Sequence, residues 1–385
     1  MIKNKIIIED TTLRDGEQTP SVSFSKNDKL QISRMISDIL SEDDSIDAGF
    51  PAISEKESET ISEICKSIDK NYILGLSRLN KDDIDKAYQS MHYTSKRKIG
   101  LIIPTSKIHL KHKLNITFEK LLEMALTCID YAKQYFEDVE VGLEDASRTD
   151  IDSLCEITEK LIDTGVKSIT FADTLGYWLP EETKYYIEQI EANVHNISEL
   201  DYLGVHCHND LGLALANSLA AFEAGANKIG TSFNGLGERA GNTSTEQVLV
   251  LQKVKPFANK NYNIGKYQYD KIWTCSRLVE KLSGIAIQKN SPIIGANCYV
   301  HESGIHQNGI LKDKSTYQLF DPRIVGYEGD IFYYGKHSGK SGLRYKLQQL
   351  GINTEKINMD EYYRKFMDLC DTKKELTEKD FLNIL

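Results

Sequence analysis

Short apolar runs, rich in isoleucine, leucine and valine, alternate along most of the chain with longer stretches whose apolar positions recur at helical spacing. The runs predict strands over 5–8, 45–48, 73–76, 99–102, 139–142, 168–171, 202–206 and 228–230. Amphipathic stretches over 28–40, 118–136, 151–164 and 213–224 predict helices between them. Eight strand–helix alternations in about 260 residues is the length of a (β/α)8 TIM barrel. A doubly wound open sheet is the alternative, but no glycine-rich nucleotide fingerprint follows the first strand. Polar and charged clusters sit just after the strands, including Arg14, Asp15, Arg78, Glu144, Asp173, Thr174, His206, His208 and Asn242. In a barrel these positions converge on the C-terminal mouth.

The pattern breaks near Lys255, where 256–271 becomes rich in Asn, Lys and Tyr and reads as a linker. The expected division is therefore a catalytic TIM barrel over 1–258, then a linker and helical C-terminal region over 259–385. A helix fits 269–282, and 341–385 has the pattern of two or three helices.

Composition narrows the classes of function. With 40% hydrophobic and 27% charged residues the 385-residue chain is ordinary for a soluble globular protein. A net charge of -10 without a basic stripe argues against nucleic acid as a partner. No apolar run reaches membrane-span length. Seven scattered cysteines without a C-x-x-C pair fit free thiols in a reducing cytoplasm.

His206 and His208 carry the strongest chemical signal. At i and i+2 on a strand they share a face and can reach one divalent ion, while Cys207 between them points the other way and reads as packing. Two satisfied histidines at a strand end is the plain alternative. Arg14 beside Asp15 either donates to an oxygen that gains charge in a transition state or forms a salt bridge with Glu17 or Glu144. Thr174 offers a hydroxyl for a carboxylate or a helix cap. Glu302 and His306, at i and i+4, would share a helix face as an acid/base pair, although Gly304 interrupts the pattern. Tyr317, Tyr333 and Tyr334 are phenol donors to consider, and the Gly335–Lys340 turn is a weak phosphate-type loop lacking full P-loop spacing.

The motifs Asp10-Thr-Thr-Leu-Arg-Asp-Gly-Glu-Gln18, His206-Cys-His-Asn-Asp-Leu-Gly-Leu-Ala214, Asn234-Gly-Leu-Gly-Glu-Arg-Ala-Gly-Asn242 and Ser303-Gly-Ile-His306 together resemble the family of 2-isopropylmalate, homocitrate and citramalate synthases. The resemblance implies an acyltransferase that condenses acetyl-CoA with a 2-oxo acid and then hydrolyses the thioester. It implies a divalent ion (Mg, Mn or Zn) on Asp15, His206, His208 and Asn242, with Arg14 at the alkoxide, Thr174 on the substrate carboxylate and Glu144 placing the acetyl group. His306, backed by Glu302 and with Tyr317 nearby, would be the base. The resemblance also implies a cytoplasmic homodimer.

For the acceptor, Gly142, the Phe171-Ala-Asp-Thr174 segment and the Gly-Lys-His-Ser-Gly turn resemble homocitrate synthases, whereas Ala48-Gly-Phe-Pro51 and Gly176-Tyr177 resemble isopropylmalate synthases. The expected acceptor is 2-oxoglutarate, with 2-oxoisovalerate or pyruvate as alternatives and a metal-dependent acyl-CoA lyase as a different class. A distal carboxylate needs a cationic partner, and Arg78, His109 and Lys107 are the candidates.

Overall fold

The computed structural model describes residues 5–256 and 265–385. They form two compact units, Met1–Ala286 and Ile287–Leu385.

The first unit is a closed barrel of eight parallel strands paired in chain order. The strands are β1 (Ile7–Asp10), β2 (Ser45–Gly49), β3 (Tyr72–Ser77), β4 (Arg97–Pro104), β5 (Asp138–Glu144), β6 (Ser168–Asp173), β7 (Tyr202–Cys207) and β8 (Lys228–Thr231). All eight coincide with the apolar runs, but several extend further towards the mouth. Backbone pairing continues past the last apolar residue: Glu9 and Asp10 pair with Ser45 and Ile46 on one side and with Gly230 and Thr231 on the other. A hydrophobic run marks burial, and here the barrel also buries charge.

That charge forms a network inside the barrel. Lys228 Nζ lies 2.6 Å from Glu9 Oε2 and also binds Glu140, whose other oxygen is 2.9 Å from Lys98 Nζ. All four side chains are buried, and each contributes a partner that the others need, since an unpaired ion at such depth is strongly destabilising.

Helices cover the outside. The expected helices appear as Lys26–Ile39, Phe118–Ala132, Ile151–Asp163 and Ala214–Ala224. The first starts two residues early because Ser25 and Asp28 form a reciprocal capping box. Of the expected linker, 257–264 lies outside the described residues. Its described end is tied down: Gln268 N donates to Ile39 O at 3.0 Å and Tyr267 is buried. The following helix, Ile272–Ser283, buries Ile272, Cys275 and Val279 and stops at Gly284, whose φ of 71° suits glycine. The first unit therefore runs to Ala286, beyond the break at 258 that composition suggested.

The second unit carries the helices Gly304–Lys312, Lys340–Gln349, Met359–Thr372 and Glu378–Asn383. Leu343, Leu347, Tyr362, Phe366 and Phe381 form its core. No described helix is long and apolar enough to cross a membrane.

Candidate active site at the barrel mouth

The loop after β1 and the end of β7 bring Asp15, His206 and His208 together. Their ligand-type atoms all lie within 4.8 Å of one another, and all three residues are buried. Asp15 Oδ2 stands 3.3 Å from His206 Nε2 and 3.8 Å from His208 Nε2. Asn242 joins through the short antiparallel bridge it makes with His208. Two glycines make room: a β-carbon on Gly230 would come within 2.4 Å of His206 Nδ1, and one on Gly237 within 2.5 Å of Asn242 Nδ2 and 3.0 Å of Asp15 Oδ1.

The group suits a divalent cation. His206 Nε2, His208 Nδ1 and Asn242 Oδ1 are buried with no hydrogen-bond partner. Orphaned atoms of this kind cost about 1–3 kcal/mol each unless something binds them. Burial and neighbouring His206 push the His208 pKa down to about 3, so its ring is neutral at pH 7, the form that ligates metal. Burial alone would raise Asp15, but Arg14, His206 and His208 hold it well below the usual carboxylate range. Two imidazoles, a carboxylate and an amide oxygen make a mixed N/O donor set for a borderline divalent ion.

Arg14 is clamped at this centre. Its Nη1 donates to Asp15 Oδ2 at 2.7 Å and its Nε to Asp47 Oδ2 at 2.8 Å, so its partners are neither Glu17 nor Glu144. Glu17 instead accepts from buried Lys29. Burial pushes Asp47 up to about 6 in spite of the guanidinium beside it. Asp47 is a site residue that the sequence reading did not assign; its charge inside an apolar strand was the available signal.

A cavity of about 650 Å³ opens at this mouth. Arg14, Asp15, His206, His208, Glu144, Thr174 and Arg78 line it, with an aliphatic wall that includes Leu74, Leu76, Ile102, Met124 and Val141. His109 is not among the lining residues; its ring stands 3.8 Å from Glu144 and 3.7 Å from Asp145. Glu144 accepts two bonds from Lys113 Nζ at 2.8 and 2.7 Å. Lys113 follows from a single turn of π-helix, Leu110–Leu114, a local irregularity often found at functional sites. Thr174 Oγ1 accepts from the Asp145 backbone N at 2.9 Å, so it braces the neighbouring loop, and Asp173 caps the turn by accepting from Tyr177 N at 2.7 Å. Arg78 forks onto Asp83 at 2.8 and 3.0 Å, and Lys107 lies 3.1 Å from Asp150. Cys207 is fully buried between the imidazoles, in keeping with packing.

Glu302, His306 and Tyr317 belong to the second unit. His306 stacks on Tyr317 with ring centroids 4.0 Å apart. The expected helical pairing of Glu302 with His306 is not what forms, because the helix begins only at Gly304. A β-carbon on Gly304 would lie 2.6 Å from Gly339 N, so the two backbones approach closely at the helix start. Glu302 instead accepts from His337 N at 3.4 Å. The Gly335–Lys340 turn is held by Ser338, whose Oγ accepts from Gly335 N at 3.1 Å, while Lys336 and Lys340 pair with Asp371 and Asp360. Tyr333 donates to Lys374 O at 2.6 Å, and Tyr334 packs on the core of the unit.

Comparison with known proteins agrees with this architecture. Residues 5–279 match the HMGL-like family, and residues 293–374 match the family described as homocitrate synthase post-HMGL domain-like. The 2-isopropylmalate synthase of Dictyoglomus turgidum is 42% identical over 98% of this chain and 73% of its own length. That of Pyrococcus furiosus is 41% identical over 98% and 74%, and 2-isopropylmalate synthase 1 of Caldanaerobacter subterraneus is 40% identical over 98% and 94%. Among solved structures, the HMG-CoA lyase of Brucella melitensis superposes with a TM-score of 0.61 at 19% identity, covering 73% of this chain and 99% of the lyase, a likeness of fold. These relatives are named as isopropylmalate synthases, which moves the acceptor reading away from the homocitrate type. The chain belongs to the family of 2-isopropylmalate, homocitrate and citramalate synthases, acyltransferases that use acetyl-CoA.

Proposed function

We propose that this enzyme is a 2-isopropylmalate synthase, joining the methyl carbon of acetyl-CoA to the keto carbon of 2-oxoisovalerate and hydrolysing the thioester to release CoA. The observation that carries this choice of acceptor is the pairing of every cation on the cavity wall. Arg14 binds Asp15 and Asp47, Arg78 binds Asp83, Lys113 binds Glu144, Lys228 binds Glu9 and Glu140, and Arg239 binds Asp210. A second carboxylate on the acceptor would enter without a free cation, at a cost of several kcal/mol of desolvation. The aliphatic wall of Leu74, Leu76, Ile102 and Met124 instead suits a branched hydrocarbon end. The names of the relatives at 40–42% identity support the same acceptor.

In this reading Asp15, His206, His208 and Asn242 hold a divalent ion. When bound, the ion supplies Lewis-acid polarisation of the 2-oxo acid and a template for it. Arg14, fixed on two carboxylates, points its remaining donors at the oxygen that becomes the alkoxide. Thr174 and Glu144 line the space for substrate carboxylate and acetyl group. His306, in the second unit, is the proposed base for the methyl proton, with Tyr317 stacked against it. A cytoplasmic homodimer belongs to the same proposal.

The test is CoA thiol release by metal-replete enzyme with 2-oxoisovalerate, pyruvate and 2-oxoglutarate in turn. Release with 2-oxoisovalerate well above the other two is expected. Preference for 2-oxoglutarate overturns the acceptor, and cleavage of a 3-hydroxyacyl-CoA without any condensation activity returns the lyase reading.

A further inference from the structure

Asparagine and aspartate enter the left-handed region of backbone space readily, whereas a bulky side chain is seldom found there. Among the described residues six non-glycine positions have positive φ, and only Arg239 and Ile293 of these are neither Asn, Asp nor Ser. Arg239 has a φ of 54° and lies on the wall of the mouth cavity. A residue in that conformation persists only where its surroundings fix it, and such residues cluster at functional sites.

The guanidinium does the fixing. Its Nε donates to Asp210 Oδ1 at 2.7 Å and its Nη2 to Asp210 Oδ2 at 3.0 Å, a two-point fork on one carboxylate. Nη2 also donates to the Thr174 carbonyl at 2.5 Å. One side chain on the loop after β8 thus grips the loops after β6 and β7 together.

The loop that carries Arg239 serves the Asp15–His206–His208 cluster twice. Glu238, the residue before it, donates its backbone N to Asp15 Oδ1 at 3.2 Å. Asn242, three residues after it, bridges to His208. Asn242 Nδ2 donates to Leu236 O at 3.2 Å, while its Oδ1 is buried without a partner. Between the two the backbone doubles back: Gly241 N donates to Glu238 O at 2.9 Å, and Gly241 O accepts from Asn209 N at 2.8 Å. Asp210 itself follows His208 by two residues. The grip therefore closes a ring that runs from Asp15 through Glu238, Arg239 and Asp210 to His208, whose Nε2 is 3.8 Å from Asp15 Oδ2.

We infer that Arg239 is a positioning residue for the divalent-ion site, holding Glu238 N on Asp15 and Asn242 beside His208, and that it thereby sets the affinity for the ion. This rests on the reading that Asp15, His206, His208 and Asn242 hold that ion. The hydrogen bonds of the guanidinium go to Asp210 and Thr174, so it acts on the ligands through the backbone. Residues that orient ligands without touching the metal typically change its affinity about 10-fold to 100-fold.

The experiment measures the Kd for Mn2+ and Zn2+ by competition with a chromophoric chelator, with urea unfolding of each metal-free protein alongside. The variants are Arg239→Ala, Arg239→Gly, Arg239→Lys, Asp210→Asn and the double variant Arg239→Ala/Asp210→Asn. Arg239→Ala is expected to raise Kd about 10-fold to 100-fold. Arg239→Gly, which relieves the backbone as it removes the side chain, should lose as much. Arg239→Lys should recover only part, because an ammonium keeps the charge without the fork. Asp210→Asn should weaken binding with the metal-free midpoint near the parent's, and the double variant should bind no more weakly than Arg239→Ala. An unchanged Kd in Arg239→Ala, parent affinity in Arg239→Gly, or losses that add in the double variant overturn the inference. So does a binding loss confined to variants whose metal-free midpoint has fallen, which reports general loosening. Should Arg239→Ala fail to fold, parent affinity in both Arg239→Lys and Asp210→Asn overturns it. A parent protein that binds neither ion, or that binds as tightly after Asp15→Ala, overturns the ligand reading itself.

Discussion

Asp15 Oδ2 and His206 Nε2 stand 3.3 Å apart, one just past the first strand and the other at the end of the seventh, both shut away from solvent. A carboxylate and an imidazole at that depth, with His208 beside them, form the candidate site for a divalent ion. Asp15→Ala is expected to cut divalent-metal affinity at least tenfold, read as metal retained after dialysis against a graded chelator. Metal content equal to that of the parent protein removes Asp15 from the ligand set.

Arg14→Lys keeps the charge but loses the fork that binds Asp15 and Asp47 together. A fall in kcat of about 100-fold to 1000-fold is expected, with bound metal unchanged. If KM for the 2-oxo acid rises while kcat holds, Arg14 serves ground-state binding and the alkoxide role is lost.

Lys228→Met leaves Glu9 and Glu140 buried with only Lys98 to share. About 3–5 kcal/mol of stability should go, read as a lower midpoint in urea unfolding. Adding Glu9→Gln and Glu140→Gln to that variant should recover much of the loss, because the stranded charge goes with them. No recovery means that Lys228 acts through packing and not through charge.

Asp44 gives the protein a pH-dependent stability. It accepts from Ile8 N and Ser41 N, both at 2.8 Å, yet burial pushes its pKa up from 3.8 to about 7. Between those values the folded protein holds a proton that the unfolded chain has released. The stabilising contribution is complete below about pH 4 and fades as pH rises to 7, by a few kcal/mol. Asp44→Asn removes this slope, so the stability gap between the parent and the variant should shift by that amount from pH 4.5 to pH 7. A gap that does not change with pH would show that Asp44 titrates normally.

Much of this was legible in the sequence because barrel strands, buried on both faces, write themselves as apolar runs. The His206–His208 pair was readable for a related reason, since strand alternation alone puts both rings on one side. What stayed hidden were partnerships between residues far apart in the chain. Nothing local ties Arg14 to Asp47, or Lys228 to Glu140; a lone charge at a strand end reads equally as a turn. The Glu302–His306 pairing needed a helix through Gly304, the residue that interrupts the pattern; the helix begins at Gly304 and leaves Glu302 outside it. The unit boundary was placed too early because a polar, asparagine-rich stretch signals a linker whether or not the next helix packs back.

The paired lysines and glutamates in the barrel interior also govern traffic. Glu140 lines both the mouth cavity and a smaller one at the opposite end of the barrel, and its ion pairs with Lys98 and Lys228 stand between the two. On the proposed function, two substrates would come in and two products would go out by the barrel mouth. Whichever molecule is lodged deepest leaves last, and a product lingering at the entrance obstructs the next arrival. Congestion at that mouth would couple turnover to the concentrations of the products.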